Sequence, residues 1–401
     1  MNLAFTFQNE FACAIYCRIN VSSWLSFPKT SARRLMPIMR TEGLLQTTTA
    51  YLNRIATAAP DHDVHDAFAA FAEQMLGDPR LRTIFRRMVS RANIAHRYSF
   101  LDPRKGSGQF SSRDAHDFYR LGNFPSTAQR MELFEQSAPL LMRKTVDRLA
   151  LSEQERAGIT HVLVTCCTGL YAPGLDFEIV DHLGLSPGVE RTMVGFMGCY
   201  AAINAMKLAR HIVRSDPNAG VLMVNLELCT LHFQETQDLE QVLSFLVFAD
   251  GAAASLITAR EQGFALDSFK AVMVPETRGL ITWKIRGLGF DMLLSGQVPN
   301  ELGRALHEGE LMVMAERDGI DLWAVHPGGR SILDAVEKGL ELPVDALAAS
   351  REVLSNYGNM SSATVMFVLE RMMQQARPGQ RGCAMSFGPG LTAETMRFHA
   401  V

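Results

Sequence analysis

The chain has 401 residues, of which 47% are apolar and 20% charged, and its formal net charge is −3 at pH 7. This composition is typical of a globular protein that is long enough to bury a large core, and it excludes a disordered chain. Basic residues are scattered among acidic ones, so we expect no nucleic-acid partner. No apolar run reaches the roughly 18 residues that a membrane-spanning helix needs, so no membrane span is predicted.

The seven cysteines are an odd number and lack CxxC spacing, and several lie in apolar, strand-like runs. This pattern argues against a disulfide framework and indicates a reducing, cytoplasmic location. The adjacent Cys166 and Cys167 would point to opposite faces of a strand, so they cannot easily share a metal ion. We therefore expect no metal site.

Residues 1–45 are predicted to form a poorly structured N-terminal extension, because clear strand and helix patterning begins only at residues 50–55. The extension lacks a basic start before its apolar part, so a signal peptide is a poor fit. Two helices are predicted between residues 63 and 98, joined near Gly77-Asp78-Pro79.

Helices and short apolar strands alternate along the rest of the chain, which predicts an α/β fold. A similar order of elements recurs after about residue 260, although no residue-level repeat accompanies it. We interpret this as an internal duplication, with one half over residues 46–260 and the other over residues 261–401. The predicted helices cover residues 126–151, 199–215, 238–248, 297–318, 331–339 and 361–375, and the predicted strands cover residues 159–165, 221–228, 252–258, 322–326 and 383–387.

Cys199 directly follows a glycine and stands at the start of a predicted helix. A thiol at a helix N-terminus experiences positive potential, which lowers its pKa and favours the thiolate. The alternative is a buried structural cysteine, which an apolar context also favours.

His326 and Asn359 each lie beside a turn. The histidine ends a predicted strand and enters a Pro-Gly turn, and the asparagine follows a glycine just before a serine-capped helix. Each residue alone proves little. Together with Cys199 they suit nucleophilic acyl transfer, because an imidazole can stabilise a thiolate, and imidazole and amide N–H groups can point at an oxyanion.

Four sequence strings occur in a fixed order and resemble the chalcone and stilbene synthase family of type III polyketide synthases, in spacing as well as sequence. Further resemblance, in GNFPSTAQRM at 122–131, PGLD at 173–176 and LVFADGAAA at 246–254, extends it over about residues 51–396. The four strings are GCYAA at 198–202, WAVHPGG at 323–329, NYGNMSSA at 356–363 and SFGPGLTAET at 386–395.

The resemblance implies a thiolase-like, layered αβαβα fold with two similar halves, assembled as a homodimer. It also implies that Cys199 takes an acyl group from an acyl-CoA starter, while His326 and Asn359 promote decarboxylation of malonyl-CoA and stabilise the enolate. Claisen condensation then extends the chain, which cyclises to a pyrone, a resorcinol or a related polyketide. No metal or cofactor is implied, since the CoA thioesters are substrates.

Further binding residues follow from the same resemblance. Phe248 and Phe290 match two phenylalanines between the CoA tunnel and the reaction cavity, and either could instead be a core aromatic. Arg87 and Arg91 match two of three basic positions that meet CoA phosphates, with Ile84 at the third; a solvated helix face is the alternative. The cavity and its framing turn are expected to include Cys167, His232, Ile281, Gly388, Pro389 and Gly390.

Two other functions stay open. A ketoacyl synthase III-like priming enzyme that uses acyl carrier protein shares the catalytic set, although HPGG and GNMSS favour the polyketide class. A non-catalytic thiolase-fold partner subunit is the second alternative. The intact set of Cys199, His326 and Asn359 argues against it, because a scaffold does not need all three.

Overall fold

The structure is a computed structural model that describes residues 48–103, 118–308, 311 and 319–401. Its strands, in chain order, are β1 (Tyr51–Ala58), β2 (His62–Asp63), β3 (Tyr98–Ser99), β4 (Ile159–Cys166), β5 (Glu190–Gly195), β6 (Gly220–Leu228), β7 (Asp250–Thr258), β8 (Phe264–Met273), β9 (Ile281–Arg286), β10 (Gly289–Leu294), β11 (Leu322–Val325), β12 (Arg381–Gly388) and β13 (Thr392–Ala400).

The α-helices of the described residues lie between these strands. In chain order they are α1 (His65–Met75), α2 (Pro79–Arg91), α3 (Thr127–Arg148), α4 (Glu153–Ala157), α5 (Leu175–Leu183), α6 (Ala201–Ser215), α7 (Leu239–Leu246), α8 (Val298–Glu308), α9 (Arg330–Gly339), α10 (Ala348–Tyr357) and α11 (Thr364–Met373).

A mixed sheet has the strand order β11-β12-β13-β8-β1-β7-β6-β4-β5. On either side of the central β1–β8 pair, the next two pairings are antiparallel and the third is parallel. The chain before residue 260 and the chain after it therefore add strands to this sheet in the same pattern. Strand β5 then extends one edge by a further parallel pairing with β4.

Helices α6 and α11 pack in one apolar cluster with strands from both parts of the sheet. Small residues on α6, such as Ala202, Ala205 and Ala209, are fully buried and let the helix approach its neighbours closely. The first six residues of α11 are also all buried. Because α6 begins just after Cys199 and α11 begins just after the Asn359 loop, the packing of these two helices positions the candidate site.

Most predicted elements are present, with ends shifted by a few residues. The prediction that residues 383–387 form the last strand is wrong, because β13 follows it; this strand buries Glu394 and Thr395 beside apolar residues and so lacks a clean alternating pattern. The helix predicted at 297–318 is α8 as far as Glu308, and most of the remainder lies outside the described residues. The predicted extension, residues 1–45, lies outside them too.

Within the described part of the chain, every helix is too short or too polar to cross a lipid bilayer.

Candidate active site

Cys199 lies in a 3₁₀ turn, Gly198–Tyr200, between β5 and α6. Gly198 has φ of +76°, and a Cβ atom there would lie 2.3 Å from Pro389 Cδ. Only glycine therefore lets this turn pack against the loop that follows β12. The Cys199 side chain is partly exposed, on the wall of a cavity.

His326 directly follows β11, and its backbone N–H donates to the Met385 carbonyl oxygen at 2.7 Å. The residue is 1% exposed, and neither ring nitrogen has a hydrogen-bond partner among the described residues. Burial lowers the pKa of His326 to about 3, so the imidazole is neutral. Leaving a buried polar group unpaired costs about 1–3 kcal/mol, so a ligand that hydrogen-bonds this ring would recover that energy.

Asn359 is held by its backbone and by its side chain. Its N–H donates to the Val247 carbonyl at 2.7 Å, and its own carbonyl accepts from the Ala249 N–H at 2.9 Å. Oδ1 accepts from the Ser361 N–H at 2.8 Å, while Nδ2 donates to the Gly328 carbonyl at 3.3 Å. These contacts fix the amide so that its N–H₂ group faces the loop that follows His326.

A cavity, hereafter the reaction cavity, is lined by Cys199, His326 and Asn359. The structure thus brings the three predicted catalytic residues together. Trp283 and Met292, from the β9–β10 hairpin, help to make the wall largely apolar. Of the other predicted residues, the lining includes Phe248, Cys167, Ile281, Gly388 and Pro389.

Three predicted binding residues, Phe290, His232 and Gly390, lie outside this lining. The His232 ring stacks on Phe290 with centroids 4.1 Å apart, and Trp283, which does line the cavity, packs against both rings. His232 Nδ1 accepts from the Phe290 N–H at 3.1 Å, so Nε2 carries the proton and donates to the Thr168 carbonyl at 2.6 Å. Trp283 forms the cavity surface here, and the rings of His232 and Phe290 pack against it without lining the cavity.

Arg91 lines a second, open cavity, hereafter the entrance cavity, which adjoins the reaction cavity. Arg330 also lines it, a residue that the sequence analysis did not single out. Arg87 is exposed on α2 and lies outside both linings. The two cavities share four lining residues: Leu294, Val298, Gly328 and Ile332.

Glu227, on β6, is fully buried and was also missed. Its carboxylate accepts hydrogen bonds from Ser362 Oγ at 2.6 Å, from the Cys167 N–H at 2.9 Å and from Thr168 Oγ1 at 2.9 Å. Burial raises the pKa of Glu227 to about 7. An acidic residue inside a strand that is apolar apart from Asn225 was the sequence signal that could have revealed it.

Burial raises the pKa of the Cys199 thiol to about 12, although hydrogen bonds from Ser361 and Asn359 act in the opposite direction. The predicted lowering of this pKa is therefore wrong for the unliganded cavity, because loss of solvation outweighs the helix N-terminus. The resting pair is a neutral thiol and a neutral imidazole.

Each part of the chain matches the model of a known domain. The models for the N-terminal and C-terminal domains of chalcone and stilbene synthases match residues 44–261 and 265–401. The chain belongs to the chalcone and stilbene synthase family. It is a type III polyketide synthase, and hence an acyltransferase.

Relatives of this type III polyketide synthase match it over almost the whole chain. It is 32% identical to the alpha-pyrone synthesis polyketide synthase-like Pks18 of Mycobacterium tuberculosis, over 96% of this chain and 100% of that protein. It is also 32% identical to bisdemethoxycurcumin synthase of Oryza sativa, over 86% and 91% of the two chains.

Solved structures show the same fold. The crystal structure of PKS-I from the brown alga Ectocarpus siliculosus superposes with a TM-score of 0.80 at 30% identity, over 89% of this chain and 99% of that one. The type III polyketide synthase domain of Steely1 from Dictyostelium superposes with a TM-score of 0.78 at 23% identity, over 88% and 99%. The predicted thiolase-like fold is confirmed.

Proposed function

We propose that this type III polyketide synthase loads an acyl-CoA starter onto Cys199 and extends it with malonyl-CoA by decarboxylative Claisen condensation. The observation that carries the proposal is the buried imidazole of His326, which lacks a partner among the described residues and lines the same cavity as Cys199 and Asn359. A scaffold gains nothing from such an unpaired group, whereas a catalyst can use it.

The first step is acylation of Cys199. The neutral imidazole of His326 accepts the thiol proton, and the thiolate attacks the carbonyl carbon of the starter thioester. The negative charge that develops on the thioester oxygen is stabilised by N–H donors that line the cavity. When the tetrahedral intermediate collapses, the CoA sulfur leaves and the imidazolium supplies its proton.

The second step is decarboxylation of malonyl-CoA. The carbon–carbon bond to the malonyl carboxylate breaks, CO₂ leaves, and the electron pair forms an enolate on the remaining thioester. The imidazole of His326 and Nδ2 of Asn359 stabilise the enolate oxygen. The apolar wall favours the loss of CO₂, because the malonyl carboxylate is poorly solvated beside Trp283 and Met292.

The third step forms the new carbon–carbon bond. The enolate carbon attacks the acyl carbonyl on Cys199, and the cysteine sulfur leaves as a thiolate that is ready for another round. We propose a pyrone as the first product to seek, ahead of a resorcinol, because the name of Pks18 refers to alpha-pyrone synthesis. No metal or bound cofactor takes part in these steps.

We also propose a homodimer that forms along β5, in the cytoplasm. This strand is the last in the sheet order, and five of its six residues are exposed in the single chain. An open sheet edge of this kind can pair with a second copy by an isologous contact. The five cysteines that the structure describes are all free thiols, as a reducing compartment would keep them.

The experiment is to incubate the purified protein with malonyl-CoA and short, long and aromatic acyl-CoA starters, beside the same acyl groups on acyl carrier protein. Mass spectrometry of the extracts and release of CO₂ are the readouts, and Cys199→Ala is the control. We expect polyketides from the CoA substrates with the wild type alone. Turnover of acyl carrier protein alone would instead identify a priming enzyme, and no turnover at all would identify a non-catalytic subunit.

A further inference from the structure

We propose that Arg330 binds a phosphate group of CoA in the entrance cavity, beside Arg91, whose position the family resemblance already links to CoA phosphates. Arg330 then supplies a cation that α2 lacks at Ile84. The proposal rests on the proposed function in one respect, namely that CoA thioesters are the substrates. It assigns a binding role to a residue on α9 that neither the motifs nor their spacing indicated.

The entrance cavity is the outward continuation of the reaction cavity, because the two share lining residues from the β10–α8 segment and from the start of α9. A thioester whose carbonyl lies beside Cys199 can therefore extend its long arm through the entrance cavity. The far end of that arm in CoA carries phosphates. Arg91 and Arg330 are the basic side chains of this lining among the described residues.

The two arginines are held next to each other. Arg330 Nη1 donates to the backbone carbonyl of Arg91 at 3.2 Å, which ties the N-terminus of α9 to the C-terminus of α2. The Arg91 guanidinium has no hydrogen bond or ion pair with a described residue, and the side chain of Arg330 is 51% exposed. Both guanidinium groups are therefore accessible to an anion.

Two acidic residues, Asp334 and Glu240, also line the entrance cavity, and both have other partners. Asp334 lies 3.4 Å from Arg330 Nε but only 2.8 Å from Arg351 Nη1. Glu240 Oε1 accepts from the Gly296 N–H at 2.6 Å. Neither carboxylate pairs with Arg330 alone. The guanidinium of Arg330 therefore retains N–H groups that can bind a phosphate.

The start of α9 adds to this positive potential. Gly329 precedes the helix and provides no side-chain cap, and the N–H groups of Arg330 and Ser331 have no acceptor among the described residues. Free N–H groups at a helix N-terminus favour an anion, and a guanidinium fork matches phosphate oxygens in a bidentate manner. Arg87 also carries a guanidinium, but it lies outside the entrance cavity.

The test compares Arg330→Gln with a matched control, Arg304→Gln. Glutamine keeps a polar side chain that can donate a hydrogen bond but carries no charge. Arg304 is 53% exposed on α8 and pairs with a carboxylate of its own helix, as Arg330 does, but it lies outside the entrance cavity. Malonyl-CoA and malonyl-pantetheine, which lacks every phosphate, serve as substrates.

We expect Arg330→Gln to raise the KM for malonyl-CoA roughly tenfold, as loss of a charge-assisted hydrogen bond does. The kcat with either substrate and the KM for malonyl-pantetheine should not change. The difference in KM for malonyl-CoA between variant and wild type should shrink at high salt. Arg304→Gln should behave as the wild type. Equal changes for both substrates, or no change, would overturn the proposal.

Dephospho-CoA thioesters show which phosphate is bound. If Arg330 binds the 3′-phosphate, Arg330→Gln loses the preference for malonyl-CoA over its dephospho form. If Arg330 binds the diphosphate, the variant binds both thioesters more weakly than the wild type does. A wild type that turns over neither malonyl-CoA nor malonyl-pantetheine would contradict the proposed function instead. Calorimetric binding of CoA itself still tests the arginine pair in that case, and equal affinity of wild type and variant would contradict it.

Discussion

At the scale of single residues, Ser361 acts on the pKa of the nucleophile, although the sequence did not single it out. It has φ of +47°, which is strained for serine, and its N–H is held by Oδ1 of Asn359. In this conformation its hydroxyl hydrogen-bonds the sulfur of Cys199 and lowers the thiol pKa. The strain is therefore coupled to the electrostatics of the site.

Replacing Ser361 by alanine should raise the Cys199 pKa, because the thiolate loses a hydrogen bond. Alkylation by iodoacetamide should then require a higher pH and be several-fold slower at about pH 8 than in the wild type. Ser137→Ala is the control, since Ser137 is buried to a similar extent but lies on α3, outside the reaction cavity. Identical alkylation profiles for Ser361→Ala and the wild type would contradict this role.

Glu227 should make stability depend on pH. Its folded pKa of about 7 lies above the usual value of 4.5, so the folded state holds a proton that the unfolded state has released. Stability contributed by this site therefore falls as pH rises from about 4.5 to about 7, by at most ~3 kcal/mol.

Glu227→Gln should remove that dependence, so the Tm of the variant should fall less than that of the wild type between about pH 5 and pH 8. Thermal unfolding at a series of pH values measures the difference between the two proteins, in which the titration of all other groups cancels. Parallel Tm curves for the two proteins would show that folding does not raise the pKa of Glu227.

At the scale of elements, the nucleophile turn depends on its fit against the loop after β12. Gly198→Ala should cost about 2–4 kcal/mol, because a positive φ and a clash with Pro389 add together. Gly184→Ala is the matched control, since Gly184 also has positive φ, +59°, but its added Cβ would meet nothing within 4 Å. It should cost only about 1 kcal/mol.

Urea unfolding gives the stability of both glycine variants, and the rate of Cys199 alkylation reports the geometry of the turn. We expect Gly198→Ala to change both measurements and Gly184→Ala to change stability alone. Equal losses of stability in the two variants would mean that the approach to Pro389 does not constrain the turn.

The buried elements were predictable from sequence, since strands β4, β6 and β7 and the central helices have apolar patterns that tertiary contacts reinforce. Strand β5 was missed because its Glu-Arg-Thr-Met sequence is exposed at the sheet edge and shows no alternation. The stacking of His232 on Phe290 was also beyond sequence analysis. It depends on where the Trp283 side chain lies, which spacing along the chain does not determine.

Site residues could be predicted from motifs where one short segment sets the local geometry, as it does at Gly198-Cys199. Glu227 and Arg330 were missed for a different reason. Their roles arise from partners that lie far away in sequence, such as Ser362 for Glu227 and Arg91 for Arg330. Contacts of this kind require the folded arrangement of both halves of the chain.

At the scale of the whole molecule, the reaction cavity needs both halves. Cys199 comes from the matched N-terminal domain, while His326 and Asn359 come from the matched C-terminal domain. Hydrogen bonds between Asn359 and the segment around Val247 join the two across the site. The geometry of the three residues therefore depends on the contact between the halves.

The proposed dimer makes a further prediction at this scale. Met193→Arg places a charge on the exposed face of β5 and should convert the dimer to a monomer, because a buried unpaired charge is costly. Met273→Arg is the control, since Met273 is 77% exposed on β8, away from that edge. Sedimentation velocity measures both variants; a Met193→Arg protein that stays dimeric would place the interface elsewhere.

The most direct test of the account is to find which cysteine carries the acyl group, because Cys167, Cys199 and Cys229 all line the reaction cavity. Intact-protein mass spectrometry after brief incubation with an acyl-CoA starter, followed by peptide mapping, answers this. We predict one acyl group per chain, on Cys199, and none on Cys199→Ala. An adduct on Cys167 or Cys229, or an acylated Cys199→Ala variant, would contradict the assignment of Cys199 as the nucleophile.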